Sequence, residues 1–273
     1  MTDQSTPSER RAVESLMGFW ADAGVDACYE DAAVDRTRKV PPPVRPTPIG
    51  VAVPRPASAS TLVSPDISAA IAQARALAAA ATDLAALAEA IAAFDGCGLK
   101  FQGARQAVFS RGVPDAPVVV VGEGPGADED AQGAPFVGRA GKLLDRMLEA
   151  AGLNDRVFIT NTVFWRPPGN RTPSPAEQSV CAPFLERALQ LVHPRILLMV
   201  GGASAKSMLK REEGILSLRG RWFEWRSEDE SLVLPALPTL HPAFLLRQPA
   251  AKKKAWADLL TLTERLDRPE RPA

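Results

Sequence analysis

The sequence predicts a three-layer α/β/α fold built around a central, mainly parallel sheet of four strands. Two observations predict it. Short, continuous apolar runs, such as those at residues 116–124 and 195–202, end on glycine, which is typical of strands buried on both faces. Helix-forming segments separate these runs, and alternating strands and helices favour parallel pairing with helices on both faces of the sheet.

The predicted elements follow one another from residue 64 onward. An alanine-rich helix over residues 64–81 begins with a cap at Ser64 or Ser68, and a second helix covers residues 82–94. Strands are predicted at residues 116–124, 157–163, 195–202 and 234–242. The further helices are predicted at residues 141–153, 174–192, 204–210 and 251–265.

Composition divides the chain into three parts. Residues 1–39 include a short amphipathic helical stripe, and residues 40–65 hold eight prolines and no acidic residue, which is typical of a semi-rigid linker. We therefore expect a detached N-terminal segment (1–39), a proline-rich linker (40–65) and one folded domain (66–273). The N-terminal segment is a candidate docking element for a partner protein that the sequence does not identify.

Charge and cysteine content exclude several classes of protein. The 273 residues contain 32 basic and 32 acidic side chains, which excludes binding to a polyanion by net charge alone but allows a local basic surface. Every apolar run is shorter than the ~18 residues of a membrane helix, and the first residues lack a secretory leader. Three cysteines fit a reducing compartment, so we expect a monomeric cytoplasmic protein.

Three loops at the carboxyl ends of predicted strands carry the chemistry, because ligands bind at that edge of a parallel sheet. The first loop (122–141) is rich in glycine, but Glu129 and Asp130 argue against a phosphate cradle. The second loop (161–173) opens with Asn161, whose amide suits the edge of an amide-like heterocycle, although capping a turn is the alternative. The third loop (240–247) carries His241, for which a structural role is the alternative.

The three loops together resemble a known family. In chain order, GEGPGADEDAQGAPFVGRAGKLLD, ITNTVFWRPPGNRTPSPAEQ and PTLHPAFLLR are similar to the motifs of the family 4 uracil-DNA glycosylases, and the likeness covers residues 90–262. The resemblance implies a monofunctional enzyme of base excision repair that hydrolyses the N-glycosidic bond of uracil in DNA. The alternatives are a non-catalytic DNA-binding or polymerase-associated protein that retains the fold, and a hydrolase of small nucleotides.

The resemblance also implies roles for individual residues. Phe136 would stack on the flipped base, Asn161 would read its edge, and His241 would hydrogen-bond the departing O2. Glu129 and Asn170 are the catalytic candidates for orienting water, with Glu129 preferred. The family pattern places uracil contacts at Glu123, Gly124, Phe136 and Asn161, and DNA contacts at Arg139, Arg171, Leu245, Leu246 and Arg247.

One feature of the family is incomplete in this chain. Most family 4 enzymes hold a four-iron, four-sulfur cluster on four cysteines, and the corresponding positions here are Phe94, Cys97, Trp165 and Cys181. Two thiolates are too few for a stable cluster of this kind. We therefore expect no iron–sulfur cofactor and no metal, with Phe94 and Trp165 filling the space by apolar packing, and uracil-containing DNA as the partner.

Overall fold

The computed structural model describes residues 67–268, so the segment 1–39 and the linker 40–65 lie outside the described residues. Within that range the strands are β1 (Arg111–Gly112), β2 (Val118–Gly122), β3 (Val157–Asn161), β4 (Ile196–Val200), β5 (Phe223–Arg226) and β6 (Val233–Thr239). The helices are α1 (Ile67–Ala80), α2 (Leu84–Ala93), α3 (Ala127–Gln132), α4 (Arg139–Ala150), α5 (Pro175–Val192), α6 (Gly202–Leu209), α7 (Ile215–Leu218), α8 (Pro242–Arg247) and α9 (Lys252–Asp267).

These strands form one mixed sheet in the order β1-β3-β2-β4-β6-β5. The four central strands are parallel to one another, which confirms the predicted class. The structure adds two antiparallel edge strands, β1 and β5, that the sequence analysis did not predict. The first is only two residues long, and the second alternates between buried and exposed positions, so neither produces the continuous apolar run of a central strand.

Side chains of the central strands point alternately into two hydrophobic cores, one on each face of the sheet. Along β2, Val119 and Val121 enter the larger core, which they share with α1, α2 and α5, whereas Val118 and Val120 enter the smaller core. Leucines of α4 and α9 complete the smaller core. Burial on both faces explains why β2 and β4 are apolar at every position.

Two helices begin at side chains that cap them in the way the sequence indicates. Ser174 and Glu177 form a capping box at the start of α5, and Asp83 accepts a hydrogen bond from the backbone of Ala86 to start α2. Two segments predicted as loops are instead short helices: residues 127–132 form α3, and residues 242–247 form α8, which His241 caps. No helix between residues 67 and 268 is long and apolar enough to cross a membrane.

Strand register brings the three loops together at one edge of the sheet. Gly122, the last residue of β2, pairs with Asn161, the last residue of β3. On the other side, Val200 of β4 pairs with Thr239 of β6, two residues before His241. Because the four strands are parallel, the loops that follow them open on the same side.

Candidate active site

A cavity of about 540 Å³ lies at the carboxyl edge of the sheet, a size typical of sites for small organic groups. All three loops contribute to its wall, as the sequence analysis expected of them. The lining residues are Glu123, Gly124, Pro125, Gly126, Glu129, Phe136, Ala140, Asn161, Pro167, Asn170, Arg171, Thr172, Pro173, His241, Ala243, Phe244 and Arg247. Sequence analysis did not identify Pro167, Pro173 or Phe244 as site residues. The repeated prolines of the second loop are the sequence feature that could have indicated the first two.

Asn161 is a buried polar residue of the cavity wall. The residue is 1% exposed, and its Oδ1 is the one buried side-chain oxygen or nitrogen of the described residues without a hydrogen-bond partner. A β-carbon added to Gly122 would lie 2.4 Å from this oxygen and 2.5 Å from Cζ of Phe136, so only glycine fits beside them. The cavity therefore offers an acceptor that a donor on a ligand can satisfy.

The ring of Phe136 lies beside this acceptor, and the ring of His241 lies next to that of Phe136. Phe136 is 6% exposed, and its ring centroid is 5.8 Å from that of His241, with 32° between the ring planes. The backbone of Phe136 has a φ of +56°, a left-handed conformation that is rare for a bulky residue. An apolar ring held next to an unpaired amide oxygen provides a surface on which a planar heterocycle can stack.

His241 is fixed in its neutral form by its surroundings. Its Nδ1 accepts a hydrogen bond of 3.1 Å from the backbone N–H of Ala243, so the single proton of the neutral ring lies on Nε2. Burial, together with the charge of Arg247, lowers the pKa of His241 to about 4, against a smaller opposing effect of Glu129. The imidazole is therefore a neutral hydrogen-bond donor at pH 7.

Glu129 holds the first loop in its curved shape. One carboxylate oxygen accepts a hydrogen bond from the backbone of Gly126, and the other accepts bonds from Val137 and Gly138, each of 3.0 Å. These three backbone donors occupy most of the capacity of a carboxylate. Glu123 contributes its backbone carbonyl, which accepts a hydrogen bond from the hydroxyl of Thr162.

The second loop brings Asn170, a candidate for orienting water, and Arg171, a candidate DNA contact, to the rim of the cavity. The side-chain oxygen of Asn170 accepts a bond of 2.7 Å from Nε of Arg166, and its backbone has a φ of +56°. Arg171 donates two hydrogen bonds to Glu177, of 2.9 and 2.7 Å, and this pairing lowers the pKa of the carboxyl. Part of the charge of Arg171 is therefore already matched within the protein.

The third loop corrects one expectation about DNA contacts. Leu245 was expected on the DNA-facing surface, but it is fully buried and packs with Leu240 and Ala255. Helix α8 turns the next residue, Leu246, outward, where it is 38% exposed. Arg247 lies at the cavity rim, and Arg139, in the first turn of α4, is exposed.

Comparison with known proteins assigns the chain to a family. The family model described as the uracil DNA glycosylase superfamily matches residues 109–260. The type-4 uracil-DNA glycosylase of Sulfurisphaera tokodaii is 38% identical over 171 residues, which cover 60% of this chain and 77% of the relative. The chain belongs to the family 4 uracil-DNA glycosylases.

A second type-4 relative supports this assignment. The type-4 uracil-DNA glycosylase of Pyrobaculum aerophilum is 38% identical over 183 residues, covering 65% of this chain and 91% of the relative. A DNA polymerase of Bacillus phage SP01 is 27% identical over 159 residues, which are 58% of this chain but only 16% of that protein. The chain is therefore a uracil-DNA glycosylase, a glycosidase of DNA repair that acts on DNA.

The four positions of the family's cluster cysteines meet in the larger core. Phe94, Cys97, Trp165 and Cys181 are each at most 2% exposed. The Cys181 thiol donates to the sulfur of Cys97 across 3.9 Å, and this contact, followed by burial, raises the pKa of Cys181. The ring of Phe94 lies 6.5 Å from that of Trp165 and 5.1 Å from that of Phe184.

These side chains do not fit an iron–sulfur cluster. Two thiols and two aromatic rings replace the four thiolates that such a cluster needs. Nowhere in residues 67–268 do three or more His, Cys, Asp or Glu side chains come together as a metal site would require. Cys28 lies outside the described residues.

Proposed function

We propose that this glycosylase excises uracil from DNA by hydrolysis of the N-glycosidic bond and leaves an abasic site. The observation that carries the proposal is the unpaired, buried Oδ1 of Asn161. Uracil presents an N3–H donor on its edge, which complements this acceptor. Cytosine presents a bare N3 at the same place, so its binding would leave two acceptors facing each other.

In this proposal the base is held between the apolar ring and the amide. Phe136 stacks on one face of the flipped uracil while Asn161 reads its edge. As the bond between C1′ and N1 breaks, its electron pair moves into the base, and negative charge develops on O2. The Nε2–H of neutral His241 donates to that oxygen, which stabilises the uracil anion without a prior proton transfer.

Water then adds to C1′ of the cationic sugar and releases one proton to bulk water, which balances the released uracil anion and completes the hydrolysis. Glu129 and Asn170, both at the cavity wall, are the groups we propose for orienting that water. Since three backbone donors already engage Glu129, we assign its carboxylate mainly an electrostatic effect on the sugar cation. The amide nitrogen of Asn170 is then available to position the water.

The proposed DNA-binding surface surrounds the cavity. Arg139 and Arg247 are exposed and supply positive charge for phosphates, and Arg171 adds to it where Glu177 does not neutralise it. Leu246 is exposed next to Arg247 and is the side chain we propose to fill the gap left by the extruded nucleotide. This arrangement gives a neutral chain a local basic face.

The decisive experiment measures uracil release from a labelled oligonucleotide, with alkali to reveal abasic sites and free deoxyuridine as the comparison substrate. The Asn161→Ala variant should lose about 3 kcal/mol of transition-state stabilisation, roughly 100-fold in kcat/KM, because the uracil edge is left unpaired. Asn154→Ala, at an exposed asparagine, is the matched control and should behave as the wild type. Wild-type protein that releases no uracil from DNA would favour the non-catalytic alternative.

A further inference from the structure

The stacking residue occupies a conformation that its own sequence disfavours. A left-handed backbone is unfavourable for a residue other than glycine, so Phe136 keeps its φ of +56° only because neighbouring groups hold it there. Groups that contact the chain on either side of Phe136 hold it in this conformation.

Arg111 holds the carbonyl side of this peptide. From the edge strand β1 its Nε donates to the carbonyl of Pro135 at 2.7 Å, and its Nη2 donates to the carbonyl of Phe136 at 3.2 Å. The same Nη2 is paired with the carboxylate of Asp145 on α4 at 2.5 Å. A planar guanidinium can bind two successive carbonyls and a carboxylate at once, which an ammonium group cannot do in the same geometry.

Two further contacts fix the same segment. Glu129 accepts hydrogen bonds from Val137 and Gly138, the residues that follow Phe136. On α4, a β-carbon added to Gly141 would lie 1.7 Å from the carbonyl oxygen of Phe136, so this oxygen is enclosed between Arg111 and the helix. The peptide of Phe136 is thus bound on both sides.

We propose that Arg111, held by Asp145, is a positioning residue for uracil excision that acts through Phe136. Arg111 lies behind the first loop and is not among the residues that line the cavity, so its effect reaches the base only through the ring it orients. The inference rests on the proposed stacking role of Phe136. Sequence analysis gave no signal for it, because a single arginine outside the three loops has no distinguishing pattern.

The test is a double-mutant cycle between Arg111 and Phe136, measured as kcat and KM for uracil release and as inhibition by free uracil. Arg111→Met should lower kcat/KM by about 10- to 100-fold, as expected for a misplaced reacting partner, and should weaken inhibition by uracil. In a Phe136→Ala background, the same change should have almost no further effect, because the ring it positions is absent. Arg111→Lys should not restore kcat/KM to the wild-type value.

Controls separate this role from general destabilisation. Arg156→Met removes another arginine–aspartate pair, with Asp267 at 2.9 Å, and should leave kcat/KM unchanged. Asp145→Asn removes the carboxylate charge that holds Arg111 but retains the Arg111 side chain, so it should give a smaller loss in the same direction; this variant carries the test if Arg111→Met fails to fold. The inference would be overturned if the loss of kcat/KM caused by Arg111→Met added fully to that caused by Phe136→Ala. It would also be overturned if Arg111→Met, like Arg156→Met, left kcat/KM unchanged. Wild-type protein without activity would instead overturn the proposed function.

Discussion

Asn161 and His241 show how burial prepares single polar groups for chemistry. Enclosure by apolar neighbours leaves the amide oxygen of Asn161 without a partner, and it keeps the ring of His241 uncharged. The backbone N–H of Ala243 then decides which ring nitrogen carries the proton. A donor and an acceptor are thereby fixed in the cavity before any base enters it.

The low pKa of His241 predicts the pH dependence of activity and of stability. Its pKa of about 4 lies below the usual 6.5, so the unfolded chain binds a proton between these values and the folded protein does not. Stability should therefore decrease as the pH falls from 6.5 to 4, by up to about 3 kcal/mol, and kcat/KM should show no titration of this group above pH 5.

Urea unfolding at several pH values, with His241→Asn beside the wild type, measures this contribution. The variant should lose most activity and should show the weaker dependence of its unfolding free energy on pH. His193→Asn, at the exposed left-handed end of α5, is the control and should keep the wild-type profile. An activity profile that titrates near pH 6.5 in the wild type would contradict the neutral, buried histidine.

At the scale of elements, helix α8 decides which of two adjacent leucines can reach DNA. A helix places successive side chains about 100° apart, so Leu245 enters the core while Leu246 faces outward. Sequence analysis identified both as candidates because it expected a loop after His241. The capping bond from Ala243 to His241 is the local interaction that converts this loop into a helix.

Substitution of each leucine by alanine should separate folding from DNA engagement. Leu245→Ala should cost about 2–5 kcal/mol of unfolding free energy, because it creates a cavity between Leu240 and Ala255. Leu246→Ala should change stability by less than about 0.5 kcal/mol but should lower kcat/KM on duplex substrate by roughly tenfold. Denaturant unfolding and glycosylase assays on both variants check this, and an exchange of the two phenotypes would contradict the assigned orientations.

Aromatic packing at the cluster positions leads to a prediction about iron. Because Phe94 and Trp165 are packed among other rings, we expect purified protein to be colourless and active without iron. Replacing Cys97 and Cys181 together by serine should cost only about 1–2 kcal/mol of stability and leave activity intact. Stoichiometric iron and sulfide, with visible absorbance in anaerobically purified protein, would show instead that other residues complete a cluster.

The elements that sequence analysis predicted are those whose signal is local. Strands β2 and β4 are apolar at every position, and Ser174 with Glu177 marks the start of α5 in the sequence itself. The edge strands β1 and β5 depend on pairing with β3 and β6, so no local pattern predicts them. For the same reason the family motifs brought Asn161 and His241 to attention, whereas the distant contact of Arg111 with Phe136 required the structure.

At the scale of the whole molecule, every contact described for the site joins residues between 67 and 268. The three loops, both cores and the sheet lie within residues 67–268. The expected domain of residues 66–273 therefore contains every group to which we assign a role.

Deleting residues 1–65 should consequently leave the free energy of unfolding and the kcat/KM for uracil release close to those of the full chain. Denaturant unfolding and the oligonucleotide assay on both proteins, at the same salt concentration, make the comparison. If the truncated protein fails to fold, the folded domain begins before residue 66. A folded protein that no longer binds DNA would assign part of the DNA-binding surface to the removed residues.

The lone amide oxygen of Asn161 has a consequence for the thermal behaviour of the empty enzyme. A buried acceptor without a donor lowers the free energy of unfolding of the empty protein by about 1–3 kcal/mol. This penalty is removed when a bound base donates to Asn161. Product uracil should therefore raise the melting temperature, because it binds the folded chain and satisfies this oxygen. An apolar replacement at the same position should raise the melting temperature of the empty protein while kcat/KM falls roughly 100-fold, so a gain in stability at this residue is a loss of catalysis.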